Sequence, residues 1–289
     1  MTSKQSDGGA ANGERVRGGF QKILDTHGYG FQYAVQEQLT ALVAEGPTSW
    51  QFEASEFPVR VEDRETRIDF VYRSPNGLGY LVGECKRVNR GMDWGFIRAG
   101  STRARHSEYD LLVEAVEKVP MGHVRASAIP FRRHHQYADI GRELKTSEGV
   151  EGATGSGRTG IEDAVTQVLT GASGLSKVLS ENPDRMPHSR PISIIPVVFT
   201  TARLWFSEAT LASAQLPMGD ISLNSHSFDE VPWIPLQYHQ SDSLVSEVPR
   251  EALMQTLADR LYLLHRRTVF IVNVEGIGQF IEWTLTAQG

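Results

Sequence analysis

The stretch Arg67–Lys86, RIDFVYRSPNGLGYLVGECK, limits what this chain can fold into more than any other. Ile68, Phe70 and Tyr72 alternate with Asp69, Val71 and Arg73, the period-two pattern of a strand. Ser74–Gly77, SPNG, joins residue types that each favour a tight turn. Tyr80–Val88 is mostly apolar and reads as a central strand. The turn therefore brings Asp69 beside Glu84 and Lys86. Glu84 and Lys86 stand two residues apart, so they share a face, and Cys85 points the other way.

This trio has a chemical use. Carboxylate oxygens are the ligands Mg²⁺ prefers, and one or two suffice when water and a substrate phosphate complete the shell. A lysine beside them can orient an attacking water and stabilise charge building on phosphorus. A salt-bridged polar face on a half-exposed hairpin is the competing reading. Against it, Glu84 and Lys86 end the apolar run YLVG, where charge is costly to bury without a task.

At 289 residues the chain suits one large domain or two small ones with a sizeable core. Its formal charge of −6 argues against coating nucleic acid indiscriminately but allows a local basic groove. A single cysteine, Cys85, excludes an internal disulfide and points to a reducing, cytoplasmic setting. The N-terminal MTSKQSDGGAANGERVRGG lacks the apolar core of a signal peptide, and no apolar run is long enough for a transmembrane helix.

Residues 1–14 predict a disordered tail, and ordered structure is expected from near Phe20. Residues 29–45 form an amphipathic helix with Phe31, Val35, Leu39, Leu42 and Val43 on its apolar stripe. A strand spans 50–61 and a polar turn, EDRE, spans 62–65. Leu111, Leu112, Ala115 and Val116 share a helical face, which predicts a helix over 107–118, and residues 123–131 predict a strand. The Gly, Ser and Thr of 147–160 predict a mobile loop. Helix follows over 161–179, weakened by Gly171 and Gly174. SIIPVVF within 191–200 is a buried strand that 203–206 extends, and 221–240 holds one or two Pro-broken β segments. A third helix spans 251–265, and closing strands at 269–274 and 280–285 flank a Gly276–Gly278 turn.

A helix, three strands, Asp69 on the second and Glu84-Cys85-Lys86 on the third resemble the PD-(D/E)xK nuclease superfamily, the restriction-endonuclease-like fold. The resemblance covers residues 29–200, and Ile68 stands where the motif has proline. It implies an α/β fold, a mixed sheet with an αβββαβ core and a C-terminal helix and strand extension. One domain would span 15–289, with insertions in 86–160 and the extension in 201–289. It implies that Asp69, Glu84 and the Cys85 carbonyl hold Mg²⁺ or Mn²⁺ and that Lys86 acts on the nucleophilic water. Many members also place a glutamate on the first helix. Here Gln32 lies beside the core stripe and is the residue expected in the site, while Glu37 faces water. The expected activity is hydrolysis of nucleic acid, with DNA favoured, and a homodimer would ease two cuts on a duplex.

Lys86, Arg87, Arg90, Arg98, Arg103 and Arg105 face only Asp93 as a counter-charge over 86–105. With Trp94 interleaved, this run is a candidate phosphate-binding surface, and Arg87, Arg90, Trp94 and Arg98 its candidate contacts. Some relatives place a glutamine on the second helix against nucleic acid, which makes Gln167 a candidate too. GATGSGRT at 152–159 lacks the lysine and the preceding strand of a nucleotide-binding loop and is not read as one. The histidines show no zinc spacing, and Cys85 reads as structural. The alternative function is a non-catalytic nucleic-acid-binding or assembly module on the same fold. A defence effector controlled through residues 180–289 is compatible with the nuclease reading.

Overall fold

The structure, a computed structural model, describes residues 14–21, 28–44, 50–89, 91–98, 110–118, 124–134, 136–145, 160–182, 190–210, 226–240 and 265–286. Among these residues two mixed sheets and four helices form a mixed α/β fold. In chain order the elements are α1 (14–21), α2 (Tyr29–Ala44), β1 (Gln51–Val61), β2 (Arg64–Arg73), β3 (Gly79–Lys86), β4 (Met92–Arg98), β5 (Asp110–Lys118), β6 (Val124–Arg133), β7 (Ile140–Lys145), α3 (Gly160–Ser180), β8 (Ile192–Thr200), β9 (Leu204–Thr210), β10 (Phe228–Val231), β11 (Trp233–His239), β12 (Arg266–Asn273) and α4 (Ile277–Thr286).

The SPNG segment turns as its composition predicts. Asn76 Oδ1 accepts the Leu78 N–H at 2.9 Å and Ser74 Oγ accepts the Gly79 N–H at 2.8 Å. The larger sheet then runs β1-β2-β3-β8-β12-β11. β1, β2 and β3 are antiparallel neighbours, and β3 lies parallel to β8 from Gly79 opposite Ser193 to Lys86 opposite Thr200. The other edge of β8 is divided. Its N-terminal part, Ile192–Ile194, pairs with β5, and Val197–Thr200 pairs with β12. Pro196, which has no N–H to give, stands at the handover between those two partners.

The smaller sheet runs β10-β9-β4-β7. β3 leads into β4 and β8 leads into β9, and β4 and β9 are again parallel. The C-terminal ends of β3 and β8 therefore meet the junction of the two sheets. Asp93 fastens that junction. Its carboxylate is buried and accepts from Arg203 at 2.7 Å and from the Trp205 indole at 3.0 Å.

Both faces of the larger sheet are covered. α3 lies on one, with Ile161, Val165, Val168, Leu169 and Ala172 against Ile68 and Val82. α2 and α4 lie on the other, with Val35, Leu39, Ile277 and Phe280 among Phe70, Leu81, Phe199 and Phe270. Gly171 and Gly174 let α3 approach the sheet, since a Cβ would stand 2.9 Å from Ile68 and 2.5 Å from Val59.

Several expectations need correction. Residues 110–118 are strand β5, not a helix, and 111–116 are buried throughout. A strand covered on both faces loses its alternation, and four apolar residues then fit helical spacing by chance. Residues 280–285 lie in helix α4, not a strand. Asn273 accepts the Glu275 N–H at 2.8 Å and starts the helical turn that leads into it. Residues 204–206 belong to β9 in the second sheet and do not extend β8. Leu42 is exposed, off the expected stripe. Of the tail at 1–14, the loop at 147–160 and the helix at 251–265, residues 1–13, 147–159 and 251–264 lie outside the described residues, while Glu14 begins α1 and Gly160 begins α3.

Candidate active site

Strands β2 and β3 pair from Arg73 opposite Tyr80 to Phe70 opposite Gly83, and then part. Asp69 is the next residue on β2, and its side chain fills the fork. Its Oδ2 accepts the backbone N–H of Cys85 at 2.7 Å. Glu84, one residue back on β3, is buried at 6% exposure. Lys86 follows on the same face, at the C-terminal end of the strand.

The electrostatics of the fork are those of a site short of positive charge. Burial raises the Asp69 carboxyl to about 6, partly offset by the Cys85 N–H, and the charge of Glu56 raises it further. Glu84 is held well above the usual carboxylate range, first by burial and then by Asp69, while Lys86 pulls it down. Burial likewise pushes the Cys85 thiol up, and both carboxylates add to that. A cation bound between Asp69 and Glu84 would reverse these shifts.

The donor set suits a hard ion. Among the described residues no group of three or more His, Cys, Asp or Glu side chains is arranged to hold a metal. Two carboxylates and the Cys85 carbonyl match an ion that keeps much of its own water, which is the habit of Mg²⁺.

Two further carboxylates border the fork. Ser55 pairs with Phe70 and Phe57 with Ile68, so Glu56 on β1 lies across from Asp69. Glu56 has φ of 49°, left-handed in mid-strand, at a cost of about 1–2 kcal/mol for a residue with a Cβ. Glu143 comes from β7 of the smaller sheet. Its Oε1 accepts the Gly160 N–H at 3.1 Å and caps α3. A Cβ on Gly160 would lie 2.5 Å from that oxygen and 3.5 Å from Lys86 Cε, so the helix start, Glu143 and Lys86 share one crowded point.

Gln32 is where the helix stripe places it, buried beside β2. Its role differs from that of a metal-facing group. The amide nitrogen donates to Glu56 Oε1 at 2.7 Å and to the Asp69 carbonyl at 3.1 Å. Glu37 is exposed as expected, and Cys85 is half-buried against the cluster under α2.

The expected basic surface fares unevenly. Arg87 is exposed immediately beyond Lys86. Arg90, Arg103 and Arg105 lie outside the described residues. Arg98 stacks on Tyr137 with its guanidinium 4.5 Å from the ring centre. Trp94 is corrected: it is 0% exposed in the core beneath α3, where no base can reach its ring. Gln167 is exposed on α3, two turns and about 10 Å along the helix from Gly160.

Glu56 and Glu143 are the site residues that sequence reasoning passed over. Glu56 had a weak signal, a charge opposite Asp69 once the turn at 62–63 sets the register. Glu143 had none, because its contact joins the smaller sheet to the start of α3. Compared with family models, with curated proteins and with solved structures, the chain has no match.

Proposed function

We propose that the chain is a Mg²⁺- or Mn²⁺-dependent nuclease that hydrolyses phosphodiester bonds of nucleic acid, with DNA favoured. The observation that carries this reading is the fork: Asp69 locked onto the Cys85 N–H, Glu84 buried beside it, and Lys86 on the same face at the strand end. The order α2-β1-β2-β3, then α3-β8 with β4–β7 inserted, supports a restriction-endonuclease-like core. The site also lies at the C-terminal ends of the parallel strands β3 and β8, where open sheets leave room for ligands.

Asp69, Glu84 and the Cys85 carbonyl would hold the ion, which when bound supplies Lewis-acid polarisation of the phosphate. Lys86 orients the attacking water and offsets charge on the phosphoryl oxygens. The water oxygen bonds to phosphorus as the bond to the 3′ oxygen breaks in line. One proton leaves the water and one reaches the departing oxygen. The exposed Arg87 continues the positive charge outward along the incoming strand.

The test is cleavage of plasmid, single-stranded DNA and RNA with Mg²⁺ or Mn²⁺, comparing Lys86→Ala and Glu84→Ala. Loss of cleavage in both supports the reading, and activity that survives both sinks it. A second reading, a non-catalytic binding module, draws on Gln32 placing a neutral amide where an acid would strengthen the site. Calorimetry separates the two, because a module shows no metal binding that depends on Asp69.

A further inference from the structure

The helix beside the fork carries an amide, Gln32, and the amide has two tasks. Its nitrogen has two N–H groups. One goes to Glu56 on β1 and the other to the Asp69 carbonyl on β2, so a single side chain ties α2 to both strands. Neither task suits a carboxylate, which has no proton to give and would repel Glu56.

Glu56 is itself placed with effort. Its left-handed backbone interrupts an otherwise extended strand opposite Asp69. Among the described residues only its Oε1 is engaged, by Gln32, which leaves Oε2 without a protein donor. The charge of Glu56 reaches both Asp69 and Glu84. Mg²⁺ gives up its water reluctantly, and the waters it keeps are strong donors that need acceptors. Asp69 has already committed one oxygen to Cys85.

We infer that Glu56 is a positioning residue of the site: held by Gln32, it accepts from water carried by the bound divalent cation and so sets the affinity for that ion. The third acid of the site thus comes from β1, and the helix supplies its clamp. This rests on the nuclease reading above, because it needs an ion between Asp69 and Glu84.

The experiment is a Mn²⁺ titration of the full chain, stripped of metal, by calorimetry. Glu56→Gln keeps the acceptor for Gln32 and removes the charge. Glu65→Gln removes an equal charge from an exposed position on β2. Outer partners of metal sites change affinity by about tenfold or more. Glu56→Gln is therefore expected to weaken Mn²⁺ by at least about tenfold, with Glu65→Gln unchanged.

Gln32→Glu gives a second measurement that does not depend on the first variant folding. It is expected to weaken binding, since it loses both hydrogen bonds and sets two carboxylates face to face. Tighter binding in Gln32→Glu would mean that position 32 is itself a ligand position, and would overturn the inference. So would unchanged affinity in Glu56→Gln while Asp69→Asn abolishes binding, an outcome that leaves the nuclease reading standing. No Asp69-dependent binding in the wild-type chain would remove both.

Discussion

The Asp69 carboxylate receives the Cys85 N–H at 2.7 Å at the point where β2 and β3 separate. One hydrogen bond thus does two things. It satisfies a backbone donor that the parting strands would leave without a partner, and it fixes a carboxylate between them. The bond favours the ionised form, yet burial outweighs it, and the group titrates near 6 instead of 3.8.

That displacement has a sign in stability. The folded chain binds a proton at Asp69 more tightly than the unfolded chain does. The resulting stabilisation is complete below about pH 3.8 and is lost as pH rises through about 6. Its full size is at most about 3 kcal/mol. Glu84 acts in the same direction. In the presence of a chelator, Asp69→Asn is expected to melt above the wild type at pH 7.5 and to lose that advantage at pH 4. Saturating Mg²⁺ should close the gap at pH 7.5 by stabilising only the wild type. Melting curves at the two pH values, with and without the ion, check each part.

Lys86 separates chemistry from folding. It is half-buried and forms no ion pair among the described residues, so its removal breaks no hydrogen-bonded pair and takes away only its field on Glu84. Lys86→Met is expected to melt within about 0.5 kcal/mol of the wild type. It should still bind Mn²⁺, because the carboxylates remain. Its cleavage rate should fall by about 100-fold or more. A parallel loss of metal binding in this variant would show that the lysine holds the carboxylates in place and does not act on water.

What could be read from the sequence divides along physical lines. The fork was legible because its parts are local: a turn with unambiguous chemistry, an alternating strand, and charges ending an apolar run. α2 and α3 were legible because each has one apolar face and one wet face. β5 was not, because it is covered on both sides, and its buried charge, Glu114, pairs with Arg267 at 2.9 Å. That partner lies 153 residues away, so no window on the sequence contains the pair. α4 was misread because Ile281, Trp283 and Leu285 alternate like a strand, while the cap at Asn273 that starts its helical turn is a single side chain. Glu56 reaches the site through a left-handed residue and leaves only a weak signal in register, and Glu143 reaches the start of α3 from the smaller sheet and leaves none.

Gly160 links the smaller sheet to the proposed chemistry. Alanine in a helix normally gains up to about 1 kcal/mol over glycine. Here its Cβ would sit 2.5 Å from Glu143 Oε1, so the carboxylate must shift away from Gly160. The weakened cap costs up to about 1 kcal/mol and offsets that gain. Gly160→Ala is therefore expected to melt no higher than the wild type. It should also cut more slowly, since Lys86 Cε borders the same point. Glu143→Gln, which can still accept from Gly160, should retain most of the stability. Thermal melts and initial rates for the two variants test the coupling. Normal cleavage in a folded Gly160→Ala variant would uncouple the second sheet from the site.

Trp94 offers the clearest contrast between the two readings of the basic run. As a base-stacking residue it would be exposed, and its removal would weaken nucleic-acid binding without touching stability. It is instead fully buried, and its indole Nε1 has no hydrogen-bond partner among the described residues. An unmet buried donor is a cost that phenylalanine does not carry. Trp94→Phe should therefore lose some packing and regain that cost, for a net change within about 1 kcal/mol. Trp94→Ala leaves a large void between α3 and the sheets and should cost about 3–5 kcal/mol. Nucleic-acid affinity, measured under conditions where each variant stays folded, should be the same in Trp94→Phe as in the wild type. The replacement of Arg87, exposed next to Lys86, should weaken affinity more at low salt than at high salt, since its contribution is a screened charge contact.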